Sequence, residues 1–245
     1  MLRVSRVLLD TIDSTNDEAW RRLERAGAAA GLVVVAFEQT SGRGRTGPWS
    51  SPRGASVALS AVLPRGSFPT VAHTMIGALA AHDATARHDL RDIAIKWPND
   101  VLVAGRKIAG VLVESRTSCA DVVVIGIGLN VAQSRADLAA QGLSGATSLR
   151  AEGIEQSAAA AADRLVADLL RWHETLAAHG FGPVAAVFAA RLKLLGERCV
   201  VQTATGEATG RLIDLTRAGE IVIETASGAR RAFRCEHVQA IRRDA

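Results

Sequence analysis

Two kinds of hydrophobic pattern alternate along the first four fifths of the chain. Short apolar runs rich in β-branched residues indicate buried strands, and they lie at residues 4–9, 32–37, 55–63, 93–97 and 122–127. Longer stretches with an apolar stripe indicate helices, at residues 14–27, 69–82 and 154–178, with a short one after Pro183. A glycine turn predicts a hairpin between residues 101–103 and 107–115. Residues 132–153 have weak periodicity, which indicates loops.

The pattern changes near residue 195. Helical periodicity ends, and five short alternating runs follow at residues 198–203, 208–215, 220–224, 230–235 and 237–242. Short strands at this spacing are typical of a small β-barrel. The sequence therefore predicts an α+β chain with two domains, residues 1–194 and residues 195–245.

A glycine- and arginine-rich segment interrupts this pattern at residues 39–53. We expect a loop there, because four glycine or proline breaks fall between Ser41 and Ser50. Its arginines offer forked donors to an anion, and Trp49 offers a flat face to a planar base. The segment contains a GxGxxG pattern, but Pro48 directly after it prevents the helix that a dinucleotide-binding motif needs. The alternative is an exposed turn without function.

Polar residues collect where the strand at residues 93–97 ends. Lys96 is followed by Asn99 and Asp100 in a turn, and strand ends are common places for ligand-binding groups. The predicted hairpin brings Lys107 back beside this turn, where it could contact a carboxylate or a phosphate. The alternatives are a polar turn and an ordinary surface lysine.

Two further segments have both a local and a functional interpretation. Residues 13–16, Asp-Ser-Thr-Asn, suit a helix cap, with Thr15 and Glu18 as a capping box, but a helix start also favours polar ligand groups. Gly126 and Gly128 before Asn130 would allow a ligand to approach the backbone, or would form a bulge.

Composition narrows the possible classes of function. The chain has 245 residues, a formal net charge of +4 and a pI near 9.5, and its arginines are scattered. Such a charge suits an acidic protein partner as well as nucleic acid. Three widely spaced cysteines predict reduced thiols, and no signal peptide or membrane-spanning run is visible, so we expect a cytoplasmic protein.

The order and spacing of these five segments, including residues 106–110 (Arg-Lys-Ile-Ala-Gly), resemble the biotin protein ligases, which are biotin–[acetyl-CoA-carboxylase] ligases. The resemblance implies a mixed sheet with flanking helices, as in class II synthetases, and an SH3-like barrel at the C-terminus. It implies the monofunctional class without a DNA-binding domain, acting away from DNA and membranes. Thr46 and Pro48 stand where many relatives have a longer run of arginines, which weakens the expectation of ligand-induced dimerisation and leaves a monomer or weak homodimer.

The resemblance also implies substrates and residue roles. Biotin would be activated by ATP with Mg²⁺ as biotinyl-5′-AMP and then passed to a lysine of the biotin carboxyl carrier domain of acetyl-CoA carboxylase or a related carboxylase. The implied catalytic residues are Arg45, Lys107 and Asp100, with Asp100 assisting the incoming lysine. The implied binding residues are Ser14, Thr15, Asn16, Gln39 and Gly110 for biotin, Gly42, Arg43, Gly44, Arg45 and Lys107 for its carboxylate and the adenylate, and Trp49, Lys96, Asn99 and Asn130 for nucleotide or metal.

Three other functions remain open from the sequence. A lipoate ligase or octanoyltransferase would share the fold, although its glycine–histidine pattern and catalytic cysteine or lysine are missing here. A non-catalytic biotin-binding module would keep the pocket without the chemistry. Nucleic-acid binding by the C-terminal strands is less favoured, because they lack a set of stacking aromatic residues.

Overall fold

A computed structural model describes residues 2–26, 29–45, 47–216 and 218–244. The predicted end of the first helix, Gly27, lies outside the described residues. The helices are α1 (Thr15–Ala26), α2 (Thr70–Ala86), α3 (Arg135–Ala140), α4 (Ala158–His179) and α5 (Phe181–Ala190). The strands are β1 (Ser5–Ile12), β2 (Leu32–Arg43), β3 (Pro48–Ser51), β4 (Ser56–Pro64), β5 (Ile93–Lys96), β6 (Asp100–Val103), β7 (Arg106–Glu114), β8 (Val122–Asn130), β9 (Arg198–Thr203), β10 (Gly206–Leu215), β11 (Ile221–Glu224), β12 (Arg230–Phe233) and β13 (Val238–Arg243).

The first eight strands form one mixed sheet in the order β1-β2-β4-β8-β7-β6-β5, with β3 paired to the end of β2. Only β1 and β2 run parallel; the other described pairs in this sheet are antiparallel. Successive residues of β2 face opposite sides, so that Val33 and Val35 join the main core while Leu32 and Val34 join a smaller core with Trp20 of α1. Helices cover both faces, which explains the unbroken apolar run in β2.

The remaining strands form a separate five-stranded antiparallel sheet in the order β12-β11-β10-β9-β13. All five predicted strands are present, each within two residues of its predicted bounds. The sheet meets the first part of the chain at Gly219, whose carbonyl accepts a hydrogen bond of 3.2 Å from the Trp97 indole. A β-carbon at Gly219 would lie 2.8 Å from Val71 of α2, so the contact is close. The domain boundary at residue 194 stays a prediction.

The structure corrects four local expectations. The segment at residues 39–53 is not simply a loop: β2 continues to Arg43 and β3 pairs with it to form a hairpin. Strand β8 continues through Asn130 rather than ending at Ile127, and α3 lies in the region expected to be loops. The capping-box prediction was wrong, because Ser14 accepts the bond from the Asp17 amide and Thr15 is already helical.

Helix α2 runs through the centre of the main core, and twelve of its seventeen residues are buried. Its predicted apolar stripe is therefore part of a helix that is apolar on nearly all sides. Within the residues that the structure describes, no helix is long and apolar enough to cross a membrane.

Candidate active site

Two adjoining pockets open where the ends of the central strands meet the hairpin and the C-terminal sheet. The residues that line both pockets are Gly44, Arg45, Trp49, Asn99 and Lys107. The remainder of the first pocket comes from α1, β2, β4, β7 and β8, and the remainder of the second from β3, β5, β6 and β13. The first pocket is therefore built within the large sheet, whereas the second lies between the two sheets.

Three glycines of β7 and β8 form the floor of the first pocket. A β-carbon at Gly126 would lie 2.4 Å from the Asn16 side chain, and one at Gly128 would lie 2.2 Å from the Trp49 ring. Gly110 pairs with Gly128 in the sheet and lies under Lys107, whose Nζ would be 3.0 Å from an added β-carbon. These glycines leave room for side chains of the site itself, and the close approach of a ligand to their backbone stays a prediction.

Neutral polar groups make a hydrogen-bonded wall of the first pocket. Gln39 Oε1 accepts bonds from the Thr15 amide at 2.9 Å and the Thr15 hydroxyl at 3.1 Å. Ser60 Oγ lies 2.6 Å from Asn16 Oδ1 and 2.8 Å from Thr15 Oγ1. The Asn16 Nδ2 group is buried and has no hydrogen-bond partner among the described residues. A buried donor without a partner is costly, so this amide suits a ligand acceptor.

Lys107 lies between the two pockets, and both its side chain and its backbone have contacts within the protein. Its Nζ lies 2.6 Å from Asp100 Oδ1 and 5.6 Å from the centre of the Trp49 ring. Its amide donates to Gly145 O at 3.0 Å and its carbonyl accepts from Thr147 N at 2.8 Å. The register between β6 and β7 shifts next to it, so the strand bends at this point. The predicted approach of Lys107 to Asp100 is confirmed.

Both described arginines of the hairpin have partners within the protein. Arg43 forms a bidentate pair with Asp17, with bonds of 2.7 and 2.8 Å, and a third bond of 3.1 Å to Glu114. The hydrogen bond from Arg43 holds the pKa of the Asp17 carboxyl below its ordinary value. Arg45 Nη1 lies 3.3 Å from Cys235 O and 3.2 Å from Val238 O, so it reaches the C-terminal sheet.

The structure brings nearly all of the predicted site residues together. Thirteen of the fifteen different residues line one or both pockets, namely Ser14, Thr15, Asn16, Gln39, Arg43, Gly44, Arg45, Trp49, Lys96, Asn99, Asp100, Lys107 and Gly110. Gly42 and Asn130 line neither pocket. A β-carbon at Gly42 would lie 1.8 Å from Gln39 Nε2, so this glycine makes room for Gln39. Asn130 is buried, and its amide donates to Thr147 O at 2.9 Å.

Sequence reasoning missed Ser60, Asp17 and Glu114. Ser60 is fully buried in β4, and a hydroxyl within the apolar run of this strand was the signal that could have found it. Glu114 accepts from the Trp20 indole at 2.9 Å as well as from Arg43. Asp17 and Glu114 can be recognised as part of the site only from their hydrogen-bond partners, which lie far away in the sequence.

The described residues contain no group of three or more His, Cys, Asp or Glu side chains placed to hold a metal ion. Asp100, the one carboxylate that lines the second pocket, is paired with Lys107. The donor set therefore does not fit a metal held by the protein alone. Mg²⁺ keeps much of its coordination on substrate phosphates and water, so the predicted ion would depend on the nucleotide.

Comparison with known proteins identifies the family of this chain. The model of the Biotin/lipoate A/B protein ligase family matches residues 8–130. The chain belongs to this family. A biotin–[acetyl-CoA-carboxylase] ligase from Paracoccus denitrificans is 34% identical over 229 residues, which cover 90% of this chain and 95% of the relative. The ligase of the same name from Mycobacterium tuberculosis is 31% identical over 230 residues, with 88% and 83% covered.

Solved structures of the family show the same fold. The biotin protein ligase from Aquifex aeolicus in complex with biotin and ATP superposes with a TM-score of 0.83 at 24% identity, covering 98% of this chain and 99% of that one. The apo structure of the Aquifex enzyme gives a TM-score of 0.79 at 22% identity, covering 99% and 100%. The predicted α+β fold, with a mixed sheet followed by a separate small β-sheet, is confirmed.

Proposed function

We propose that this protein is an ATP-dependent biotin ligase, which activates biotin as biotinyl-5′-AMP and transfers it to a lysine of a biotin carboxyl carrier domain. The observation that carries the proposal is Lys107, which lies between a pocket with a neutral hydrogen-bonding wall and a pocket lined by Lys96, Arg45 and Asp100. This arrangement suits a reaction that joins an uncharged ring bearing a carboxylate to a nucleotide. The two ligases in Paracoccus and Mycobacterium that share most of their length with this chain support the same activity.

The first pocket is assigned to biotin. The ureido group of biotin offers both an acceptor and donors, and the wall formed by Ser14, Thr15, Asn16 and Gln39 offers both in return. The free Asn16 Nδ2 donor is suited to the ureido oxygen. A ligand that leaves such a buried group unpaired loses roughly 1–3 kcal/mol, which gives the pocket its selectivity.

The second pocket is assigned to ATP. Lys96 and Arg45 line it together with Lys107, and these cations can bind phosphate oxygens. Trp49 lines the same pocket and provides an aromatic face for the adenine. Asn99, which lines both pockets, lies near the position where the two substrates meet. Mg²⁺ carried in by the nucleotide would neutralise phosphate charge there.

The residues act by placing charges rather than by forming covalent bonds. In the first step a biotin carboxylate oxygen attacks the α-phosphorus of ATP, the bond to the β-phosphate oxygen breaks, and pyrophosphate leaves. Two anions repel each other, and the ammonium of Lys107 and the guanidinium of Arg45 reduce that repulsion. In the second step the neutral amine of the acceptor lysine attacks the biotinyl carbonyl and AMP leaves with the bonding electrons. Asp100 takes the proton of the attacking amine after it separates from Lys107.

The acceptor and the setting follow from the same assignment. A carrier domain presents its lysine at the mouth shared by the two pockets, where both steps occur. Such a carboxylase component is a cytoplasmic partner, and we place the protein in the cytoplasm as a monomer or a weak homodimer.

The test is a labelling assay with purified protein, labelled biotin, ATP, Mg²⁺ and a carrier domain. We expect label on the acceptor lysine and biotin-dependent exchange of pyrophosphate into ATP. Binding of biotin without exchange would indicate a non-catalytic binding module instead. Replacing biotin by lipoate or octanoate in the same assay separates the related acyl ligases, for which transfer would be faster than with biotin.

A further inference from the structure

The hairpin formed by β3 and the end of β2 lies over the first pocket, with Arg43, Gly44 and Arg45 in its wall. Movement of the hairpin would therefore change the opening of this pocket. The contacts that hold the hairpin in place then bear on how fast a ligand enters and leaves.

Arg43 carries more than one contact to the rest of the protein. Its two terminal nitrogens bind both carboxylate oxygens of Asp17 on α1, and one of them also binds Glu114 at the end of β7. Glu114 is itself oriented by the Trp20 indole, which donates to its other oxygen at 2.9 Å. The hairpin is thus tied to α1 and to β7 through one guanidinium.

The ion pairs of Arg43 have the geometry in which a partly exposed pair can hold a segment in place. A single surface pair contributes little, but a bidentate arginine–carboxylate pair within a network is more rigid and more specific. The Arg43 side chain is 48% exposed, whereas Asp17 and Glu114 are 29% and 24% exposed. Two carboxylates more than balance one guanidinium, so Arg43 presents little positive charge to a substrate in this arrangement.

We propose that Asp17 and Glu114 are positioning residues that hold the hairpin closed over the first pocket through Arg43. The inference rests on the proposed function for its ligand, and it changes the role expected of Arg43. Arg43 then anchors the hairpin, which acts as a lid on the first pocket, and it does not serve as the counter-ion of the biotin carboxylate. Arg45 and Lys107 then supply the charge for the reaction.

The two roles of Arg43 predict opposite results for the double substitution Asp17→Asn with Glu114→Gln. If Arg43 fastens the lid, the variant should open more often, and bound biotinyl-5′-AMP should leave about fivefold faster, since a well-formed ionic network contributes on that order. If Arg43 is the counter-ion, removal of its two competitors should free it, and release should be slower. Rapid dilution of protein loaded with labelled biotin and ATP measures this rate.

A matched control lies on the same helix. Glu24 of α1 pairs with Arg116 just after β7, away from both pockets. Glu24→Gln removes the same charge from α1 and breaks an ion pair between the same parts of the fold, but it should leave release unchanged. Asp17→Glu retains the carboxylate and should recover most of the wild-type rate.

Limited trypsin digestion of the ligand-free protein tests the lid without the reaction. Mass spectrometry monitors cleavage after Arg43 and after Arg45. We expect this cleavage to be about fivefold faster in the double variant, while the midpoint of thermal unfolding stays unchanged. Raising the salt concentration should speed cleavage of the wild type and have little effect on the variant. Should the double variant fail to fold, the same measurement is made on Asp17→Asn alone.

The outcomes separate this inference from the proposed function. A wild-type protein that forms no biotinyl-5′-AMP overturns the proposed function, while the digestion still decides whether the lid is fastened. Equal cleavage of the double variant, the Glu24→Gln control and the wild type overturns the fastening role. So does slower release from the double variant.

Discussion

The two pockets that meet at Lys107 differ in how their walls are made. The first has neutral side chains that are nearly fully buried and joined by short hydrogen bonds, as at Thr15 and Gln39. The second takes side chains from both sheets, and several of them are charged or exposed, as at Lys96 and at Gln239 of β13. Buried neutral groups give selectivity, because an unmatched partner is penalised, whereas exposed cations give attraction that depends less on shape.

The hairpin joins these two kinds of wall and is held by both parts of the molecule. Arg43 binds residues next to the first pocket, and Arg45 binds carbonyls of the C-terminal sheet beside the second. The closed state of the first pocket therefore depends on contacts that form outside it. Substitutions can therefore be aimed at the point where the two pockets meet, at the first pocket alone, or at positions outside both.

The largest effect is expected for Lys107→Ala, which removes the one lysine shared by both pockets. Loss of a group that stabilises developing charge typically slows turnover by a factor of about 100 to 1,000. Pyrophosphate exchange measures it, and Lys193→Ala is the control because Lys193 lines neither of the two pockets. A decrease in the exchange rate of less than about tenfold would show that Lys107 does not stabilise charge in the reaction between the two pockets.

A smaller effect, confined to the first pocket, is expected for Gly126→Ala. The added β-carbon would lie 2.4 Å from Asn16 Oδ1 and would push that amide away from its position. Biotin affinity should fall by about ten- to a hundredfold, as expected when a buried hydrogen bond is lost, while the KM for ATP stays nearly unchanged. Titration calorimetry measures the first quantity.

Gly182→Ala provides the control, since nothing lies within 4 Å of a β-carbon added at this position in α5. Equal losses of biotin and ATP affinity in Gly126→Ala would show that the two walls are not independent.

Ser60→Ala tests the hydrogen bonds behind the first pocket. The substitution leaves Asn16 Oδ1 and Thr15 Oγ1 without their shared partner, so biotin affinity should fall by about tenfold. Ser56→Ala is a matched control: Ser56 is buried in the same strand but bonds to Asn130 and Gln133, away from both pockets. Similar affinities in the two variants would remove Ser60 from the site.

The smallest effect is a pH dependence located outside both pockets. Burial lowers the pKa of His73 and His173 below the ordinary value of 6.5, since each imidazolium would lose hydration. The folded state therefore binds fewer protons than the unfolded state, and this stability is present above pH 6.5 and is lost as pH falls below it.

Urea unfolding at pH 7.5 and pH 5.5 should show a lower midpoint in acid, with a smaller difference in the His173→Gln variant. The four polar side chains of the first pocket, Ser14, Thr15, Asn16 and Gln39, do not ionise in this range. Biotin affinity should then change little while the protein stays folded. A steep change in affinity over the same range would place a titrating group in that pocket.

The sequence by itself determined most of the strands and helices and the residue types of the site, whereas β3 and α3 were missed. Apolar periodicity located β2, β4 and the five C-terminal strands, because burial on one or two faces leaves a direct pattern in the chain. The motif residues were identifiable because polar groups at Lys96, Asn99 and Lys107 interrupt those patterns.

Only the tertiary structure decided which side chains face each other. Arg43 was expected to bind substrate, but it is paired with acids 26 and 71 positions away along the chain. Asn130 was expected at the ligand, yet its amide is bonded to Thr147. Trp49 lies on Gly128 because the sheet leaves space for it there. Such pairings depend on how distant segments pack, and a local pattern of residues carries no information about them.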